Sequence, residues 1–256
     1  MNAPAGRQQI FLEEMGLGPA WLSRRQSAQP GEVMAEAVAD EAGNETAGSV
    51  PQPQTSSVAP SGKPVDTMNW DELKAEVANC VKCGLCKKRT NTVFGVGDEK
   101  AKWLFIGEGP GRSEDARGEP FVGPAGKLLD NMLAALGLRR GDNAYIANIV
   151  KCRPTDPNGK DRPPTPEETA SCVPYLLRQI ALIQPTVIVA LGKTAALSLL
   201  GLDASTPVSS LRGKLHRYAD LPLIVTYHPA YLLRTPGDKR KTWADLCLAK
   251  DTYARA

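Results

Sequence analysis

The feature that most constrains this chain is an alternation of short apolar runs with segments of helical periodicity. Trp103-Leu104-Phe105-Ile106 stops at Gly107, and Tyr145-Ile146-Ala147-Asn148-Ile149-Val150 forms a second run. Thr186-Val187-Ile188-Val189-Ala190-Leu191 and Pro222-Leu223-Ile224-Val225-Thr226 supply two more. Runs this apolar suit strands covered on both faces. Between them, Leu128, Leu129, Met132, Leu133 and Leu136 share one helical face after Pro124, and Gly137 is placed to end that helix. Thr165-Pro166-Glu167-Glu168 joins an N-cap, a proline at N1 and a glutamate at N3, so a helix starts there and continues to Ile183. Further helices are expected from Trp70 to Val77, from Thr194 to Leu200 with Gly201 closing it, and from Lys239 to Arg255. The pattern predicts an α/β domain of three layers, α/β/α, around a mostly parallel central sheet. Ligands of such sheets bind beyond the carboxyl ends of the strands. That rule directs attention to the loop after Ile106, to Asn148 and to His228.

The amino-terminal quarter lacks this pattern. Residues 26–66 are dominated by Ala, Glu, Gly, Pro, Gln, Ser and Thr, bury too little to offset the entropy of ordering, and read as a flexible linker. Before them, residues 1–25 hold a short apolar cluster that includes Ile10, Phe11, Leu12, Trp21 and Leu22. It is either a helix for a protein partner, through residues 8–25, or a flap docked on the domain, or a frayed terminus. The folded domain is expected at 67–256. A net charge of +3 leaves any nucleic-acid contact to a local basic surface. No apolar run approaches the roughly 18 residues of a membrane span, and no secretory h-region follows the first residues. The expectation is a cytoplasmic protein, with nothing demanding more than a monomer.

Six cysteines in such a chain argue for metal binding or reactive thiols rather than a disulfide scaffold. Cys80 and Cys83 form a C-x2-C pair, which lets two thiolates from one turn reach one centre, while Cys152 and Cys172 lie far away in sequence. Spacing alone leaves zinc and an iron–sulfur cluster open. Cys86 extends the pair to C-x2-C-x2-C, part of a ferredoxin-like run that does not continue. Cys247, among Trp243, Leu246 and Leu248, reads as a small core residue.

Gly107-Glu108-Gly109-Pro110-Gly111 follows a strand but fails the dinucleotide fingerprint, which would require glycine where Arg112 stands. Gly192-Lys193-Thr194 looks like the tail of a phosphate-binding loop, yet that motif's first glycine would fall at Val187, inside a strand.

Taken together, the segments resemble the iron–sulfur, family 4 uracil-DNA glycosylases. The matching stretches are Cys80-x-x-Cys83, Arg89 to Gly95, Gly107 to Gly111 with Glu114-Asp115, and Pro120-Phe121-Val122-Gly123. They continue with Asn148 to Pro154 and His228-Pro229-Ala230-Tyr231-Leu232-Leu233-Arg234, in order, from about Asn69 to the carboxyl terminus. The resemblance implies a uracil-DNA glycosylase-like fold and a [4Fe-4S] cluster held by Cys80, Cys83, Cys152 and Cys172. Cys86 is left outside, and Asp156 to Asp161 looks like an insertion before Cys172. By the same resemblance the enzyme hydrolyses the N-glycosidic bond of uracil in DNA and leaves an abasic site for base excision repair, in the bacterial cytoplasm or nucleoid.

The residue types suit that chemistry. A base inside the duplex must be flipped out, at about a few kcal/mol, and an apolar wedge fills the gap. Leu232 and Leu233 are the candidates, with Arg234, Arg212 and Lys214 on phosphates. By the same resemblance Phe121 matches the residue that stacks on uracil, and Asn148 the one that donates to O4 while accepting from N3–H, a pattern that cytosine inverts. His228, as a neutral donor, would meet the negative charge developing on O2. Glu108 would place water or oppose the sugar's positive charge, and Gly109 would let the backbone approach the base. Glu114 and Asp115 are secondary candidates for holding water. Some relatives within the superfamily trap DNA covalently through a histidine in a basic loop; the loop after Cys152 has no histidine, so ordinary turnover is expected. The rival reading is a non-catalytic iron–sulfur or zinc module that binds nucleic acid.

Overall fold

The computed structural model describes residues 63–256. The expectations for residues 1–25, and for the linker through residue 62, fall outside the described residues. The expected linker boundary at 66 is a little late, because Val65–Thr67 forms a 3-10 turn and Val65 packs on the core beside the buried Met68.

Helix α1 (Trp70–Ala78) opens on a capping box in which Asn69 and Glu72 exchange side-chain and backbone bonds. Strands β1 (Val96–Gly97) and β2 (Trp103–Gly107) precede helices α2 (Arg112–Arg117) and α3 (Pro124–Leu136). Strand β3 (Ala144–Asn148) leads through the cysteine-bearing loop to α4 (Pro166–Ile183), β4 (Val187–Leu191) and α5 (Lys193–Leu200). The chain ends with α6 (Val208–Leu211), β5 (Leu215–Tyr218), β6 (Leu221–Thr226), α7 (Pro229–Arg234) and α8 (Lys239–Tyr253). Gly137 and Gly201 close their helices in the left-handed conformation, as the sequence led one to expect.

The strands form one sheet in the order β1-β3-β2-β4-β6-β5. The β3–β2, β2–β4 and β4–β6 pairings are parallel, and the two edges are antiparallel. Side chains alternate across the pleat and so divide the core in two. Leu104 and Ile106 face one side with Ile188, Ala190 and Val225, under α1, α4 and α5. Trp103 and Phe105 face the other with Val187, Val189 and Ile224, under α3 and α8. This is the expected three-layer α/β/α architecture.

The two edge strands were not legible as apolar runs. Strand β5 reads Leu-His-Arg-Tyr with alternate residues exposed, and β1 has two residues; pairing with a buried neighbour makes them strands. Conversely, β3 stops at Asn148, short of the expected Val150. Ile149 and Val150 still donate to the carbonyls of Gly107 and Glu108, at 3.0 and 3.2 Å, so the chain stays beside the loop after β2. Among the described residues no helix is long and apolar enough to cross a membrane.

Candidate active site

The carboxyl ends of the parallel strands open into a cleft of about 510 Å³, lined among others by Glu108, Gly109, Phe121, Asn148, His228 and Arg234. That size suits a small ligand or one nucleotide. The register explains the convergence: Gly107 at the end of β2 pairs with Asn148 at the end of β3, and Leu191 pairs with Thr226, two residues before His228.

Phe121 and His228 face each other with ring centroids 5.5 Å apart and planes inclined by 29°. Phe121 holds a left-handed backbone with φ of 55°, and its carbonyl accepts from Arg140 Nη2 at 2.9 Å. An unbranched residue rarely adopts that conformation without support, and Gly126 supplies it: a Cβ there would stand 1.7 Å from the Phe121 oxygen. Helix α3 therefore presses its first turn against the peptide that aims the ring. Gly107 plays the matching part beneath the pocket, where a Cβ would meet Asn148 Oδ1 at 2.5 Å and Phe121 Cζ at 2.6 Å.

Asn148 is 2% exposed, and its Oδ1 has no hydrogen-bond partner. A buried acceptor left unmade costs about 1–3 kcal/mol, so the atom is a standing request for a donor from a ligand. His228 caps α7: its Nδ1 accepts the Ala230 N–H at 3.1 Å, which places the ring proton on Nε2. Burial, with the positive charge of Arg234 second, lowers its pKa from 6.5 to about 4. The ring is accordingly a neutral donor at neutral pH. Glu108 accepts a hydrogen bond from the Thr194 hydroxyl, at the start of α5.

Gly109 lines the cleft, and the space its side chain would take is filled by Val150 Cγ2, 2.7 Å from the would-be Cβ. Two secondary candidates have other work. Asp115 is buried and accepts from the Thr90 and Asn91 N–H groups, while Glu114 accepts from Gly111, Val122 and Gly123 N–H. Both tie loops together; of the two only Glu114 reaches the cleft wall.

Cys80, Cys83, Cys86, Cys152 and Cys172 line one small cavity together with Lys151 and Tyr175. Arg89 Nη1 donates to Cys152 Sγ at 3.3 Å and the Lys151 N–H donates to Cys172 Sγ at 3.2 Å. Burial pushes the Cys172 thiol up to about 11 and raises Cys83 and Cys152 as well. Thiols held this way are poor nucleophiles, and they become thiolates only with a cation to bind. Among the described residues, no three Cys, His, Asp or Glu side chains form a group that could hold a metal ion.

The uracil DNA glycosylase superfamily model matches residues 94–249. A type-4 uracil-DNA glycosylase of Archaeoglobus fulgidus is 49% identical over 173 residues, which cover 65% of this chain and 84% of the relative. The type-4 uracil-DNA glycosylase of Thermotoga maritima is 48% identical over 168 residues, with the same coverage of 65% and 84%. A type-5 uracil-DNA glycosylase of Pyrobaculum aerophilum falls to 26% identity over 193 residues, covering 64% and 83%. The chain belongs to the type-4 uracil-DNA glycosylases.

On this type-4 glycosylase domain the residues expected to touch DNA divide sharply. Leu233 is 44% exposed, but Leu232 is 0% exposed and packs into the core with Phe121, Tyr227 and Leu246. Leu232 is therefore a core residue and not a wedge, because α7 turns its two leucines to different faces. Arg212 is likewise committed elsewhere: it forks onto the buried Asp245 at 3.1 and 2.9 Å and stacks on the Tyr227 ring. It is not available as a phosphate contact. Lys214 is exposed but lies outside the cleft lining, whereas Arg234 is on it. Sequence reading passed over Lys193 and Thr194, having set their motif aside as an incomplete phosphate loop; their position at the end of a central strand was the usable signal. Arg140 and Gly126 carried no local signal, since their partner Phe121 is fixed only by the fold.

Proposed function

We propose that this type-4 uracil-DNA glycosylase excises uracil by flipping the nucleotide into the cleft at the carboxyl edge of the sheet. The observation that carries the reading is the unpartnered Asn148 Oδ1 beside the facing rings of Phe121 and His228. Uracil N3–H answers that acceptor and uracil O4 accepts from the same carboxamide, while cytosine offers a lone pair and an amine in the reversed places. Phe121 provides the stacking face.

In the reaction the C1′–N1 bond breaks, its electron pair remains on uracil, and water adds its oxygen to C1′. The neutral His228 donates from Nε2 to O2 as charge accumulates there, and its Nδ1 bond to Ala230 keeps the proton on the correct nitrogen. Glu108, steadied by Thr194, accepts from the attacking water and opposes the cationic sugar. Leu233 enters the stack vacated by the base, and Arg234 holds a phosphate.

The donor set fits a [4Fe-4S] cluster on Cys80, Cys83, Cys152 and Cys172, with Cys86 outside. Their thiols line one cavity, whose wall Cys86 also reaches, and Cys152 and Cys172 accept N–H bonds that favour thiolates. Bound there, the cluster supplies a covalent clip between α1, the loop after β3 and α4. The protein acts as a monomer in the cytoplasm, where its DNA lies, and residues 8–25 are the segment for a protein partner.

The test is incubation of the purified brown protein with a uracil-containing oligonucleotide, followed by alkali. Cleavage at uracil, with thymine spared, is the expected result. An intact strand after alkali would overturn the activity.

A further inference from the structure

Lys151 is 1% exposed, and its ammonium has no carboxylate among its hydrogen-bond partners. Its Nζ donates to the carbonyl oxygen of Asn148 at 2.9 Å and to Gln179 Oε1 at 2.6 Å. Gln179, on α4, in turn donates from Nε2 to the Phe94 carbonyl at 3.0 Å. The backbone of Lys151 reaches the other way, its N–H donating to Cys172 Sγ at 3.2 Å, and Cys152 is its chain neighbour. One residue thus joins the peptide of Asn148 to the helix carrying Cys172, through its side chain, and to the cysteine cavity, through its backbone.

Packing does not demand a lysine here. A buried cation with only neutral oxygen acceptors is costly, and methionine would fill a similar volume without that penalty. What methionine would lack is a grip on Asn148. The gripped carbonyl belongs to the residue whose side-chain oxygen waits unpartnered in the cleft, three bonds from the shared Cα. Fixing the carbonyl fixes the direction in which the carboxamide leaves the backbone. The loop holds no other side-chain donor to that carbonyl among the described residues.

We propose that Lys151 is a positioning residue for uracil recognition: it holds the Asn148 peptide in place and ties it to the loops that carry the cysteines. The inference rests on the base-reading role given to Asn148 above. On this reading the cysteine-bearing loops would act on recognition inside the cleft: loosening Cys172 would move Lys151, and Lys151 would move Asn148. A thiolate at Cys172, which accepts the Lys151 N–H, would put negative charge on the same residue's side of the loop and offset part of the ammonium's burial cost.

Lys151→Met tests this, with Gln179→Leu as the second variant, each measured as the loaded protein. Three readouts are needed: visible absorbance of the cluster, inhibition by free uracil, and affinity for DNA carrying an abasic site. Displacing the carboxamide by about 1 Å should lower excision about 100-fold in Lys151→Met and weaken uracil inhibition at least about 10-fold. Abasic-site affinity should stay within about 2-fold, because phosphate contacts are untouched. Gln179→Leu should move uracil inhibition in the same direction by less. A purely structural lysine would instead lower thermal stability and scale every ligand alike. Lys151→Met with wild-type absorbance and wild-type uracil inhibition overturns the proposal. If that variant loses its cluster, Gln179→Leu decides, and unchanged uracil inhibition there overturns it equally. Absence of uracil excision by the wild-type protein is a separate result that would refute the functional reading itself.

Discussion

Gly107→Ala should silence the cleft while leaving the fold nearly as stable as before. Gly107 ends β2, pairs with Asn148 and does not hold a positive φ, so alanine fits its backbone. Restricting the unfolded chain at such a site stabilises by about 0.4–1 kcal/mol. The new methyl, however, would lie 2.5 Å from Asn148 Oδ1 and 2.6 Å from Phe121 Cζ. Carbon atoms in comfortable contact stand about 3.5–4.0 Å apart, so the carboxamide and the ring must each give way by about 1 Å. Overpacking of this kind costs about 1–3 kcal/mol, partly offset by the backbone term, and the melting temperature should fall by only about a few degrees. Catalysis has no such offset. A displacement of about 1 Å at the base-reading pair costs about 100-fold, which is about 2.7 kcal/mol of transition-state stabilisation. Single-turnover excision of uracil from a labelled oligonucleotide gives the rate, and a melt with visible absorbance gives the fold and the cluster. A brown, stable Gly107→Ala protein excising within about 3-fold of wild type would refute the placement of Asn148 and Phe121 around the base.

His228 gives a prediction in pH. Its pKa is lowered to about 4, so kcat/KM should show no inflection from it near 6.5, and an acid limb centred there that vanished in His228→Gln would contradict the neutral donor. Stability follows with a definite sign: the unfolded chain takes up the histidine proton first, so this contribution is lost as pH falls from 6.5 towards about 4, and unfolding titrations of His228→Ala should be flatter across that window. The adjacent leucines should separate cleanly. Leu233→Ala should reduce excision from duplex DNA with its melting temperature unchanged, while Leu232→Ala, emptying a fully buried site, should cost about 2–5 kcal/mol in denaturant unfolding.

What the sequence made legible was whatever repeats or ends locally. The four central strands carry unbroken apolar runs, and the Thr165 capping box and the Gly137 and Gly201 closures are spelled out within a few residues. Strand ends also pointed to His228 and, within a run expected to continue to Val150, to Asn148, and both line the cleft. Features that depend on a distant partner were not legible. The Leu232-Leu233 pair looks the same in sequence whichever member faces the core, and a six-residue helix is too short for periodicity to decide it. Arg212 looks like a surface cation until Asp245 is brought beside it by α8, across 33 residues of chain. The edge strand β5 is polar enough to read as loop and exists because β6 offers it an unpaired edge.

The same distinction explains how the cleft is made rigid. The side chains that would meet the base have few polar bonds to protein; two are held through their backbones and the third through one ring nitrogen. Arg140 grips the carbonyl of Phe121, Lys151 grips that of Asn148, and the Ala230 N–H meets His228 at the nitrogen away from the proton it would donate. An aromatic face, an Oδ1 and an Nε2–H are thereby left for the ligand, in directions set by groups that never touch it. Preorganisation of this kind concentrates binding energy on the transition state, because little has to reorient as charge develops. It also places the most damaging substitutions where no catalytic motif marks them. Arg140→Met, which would release the strained Phe121 peptide, should therefore weaken binding of free uracil more than binding of abasic-site DNA; equal losses for the two ligands would mean that Arg140 merely supports the fold.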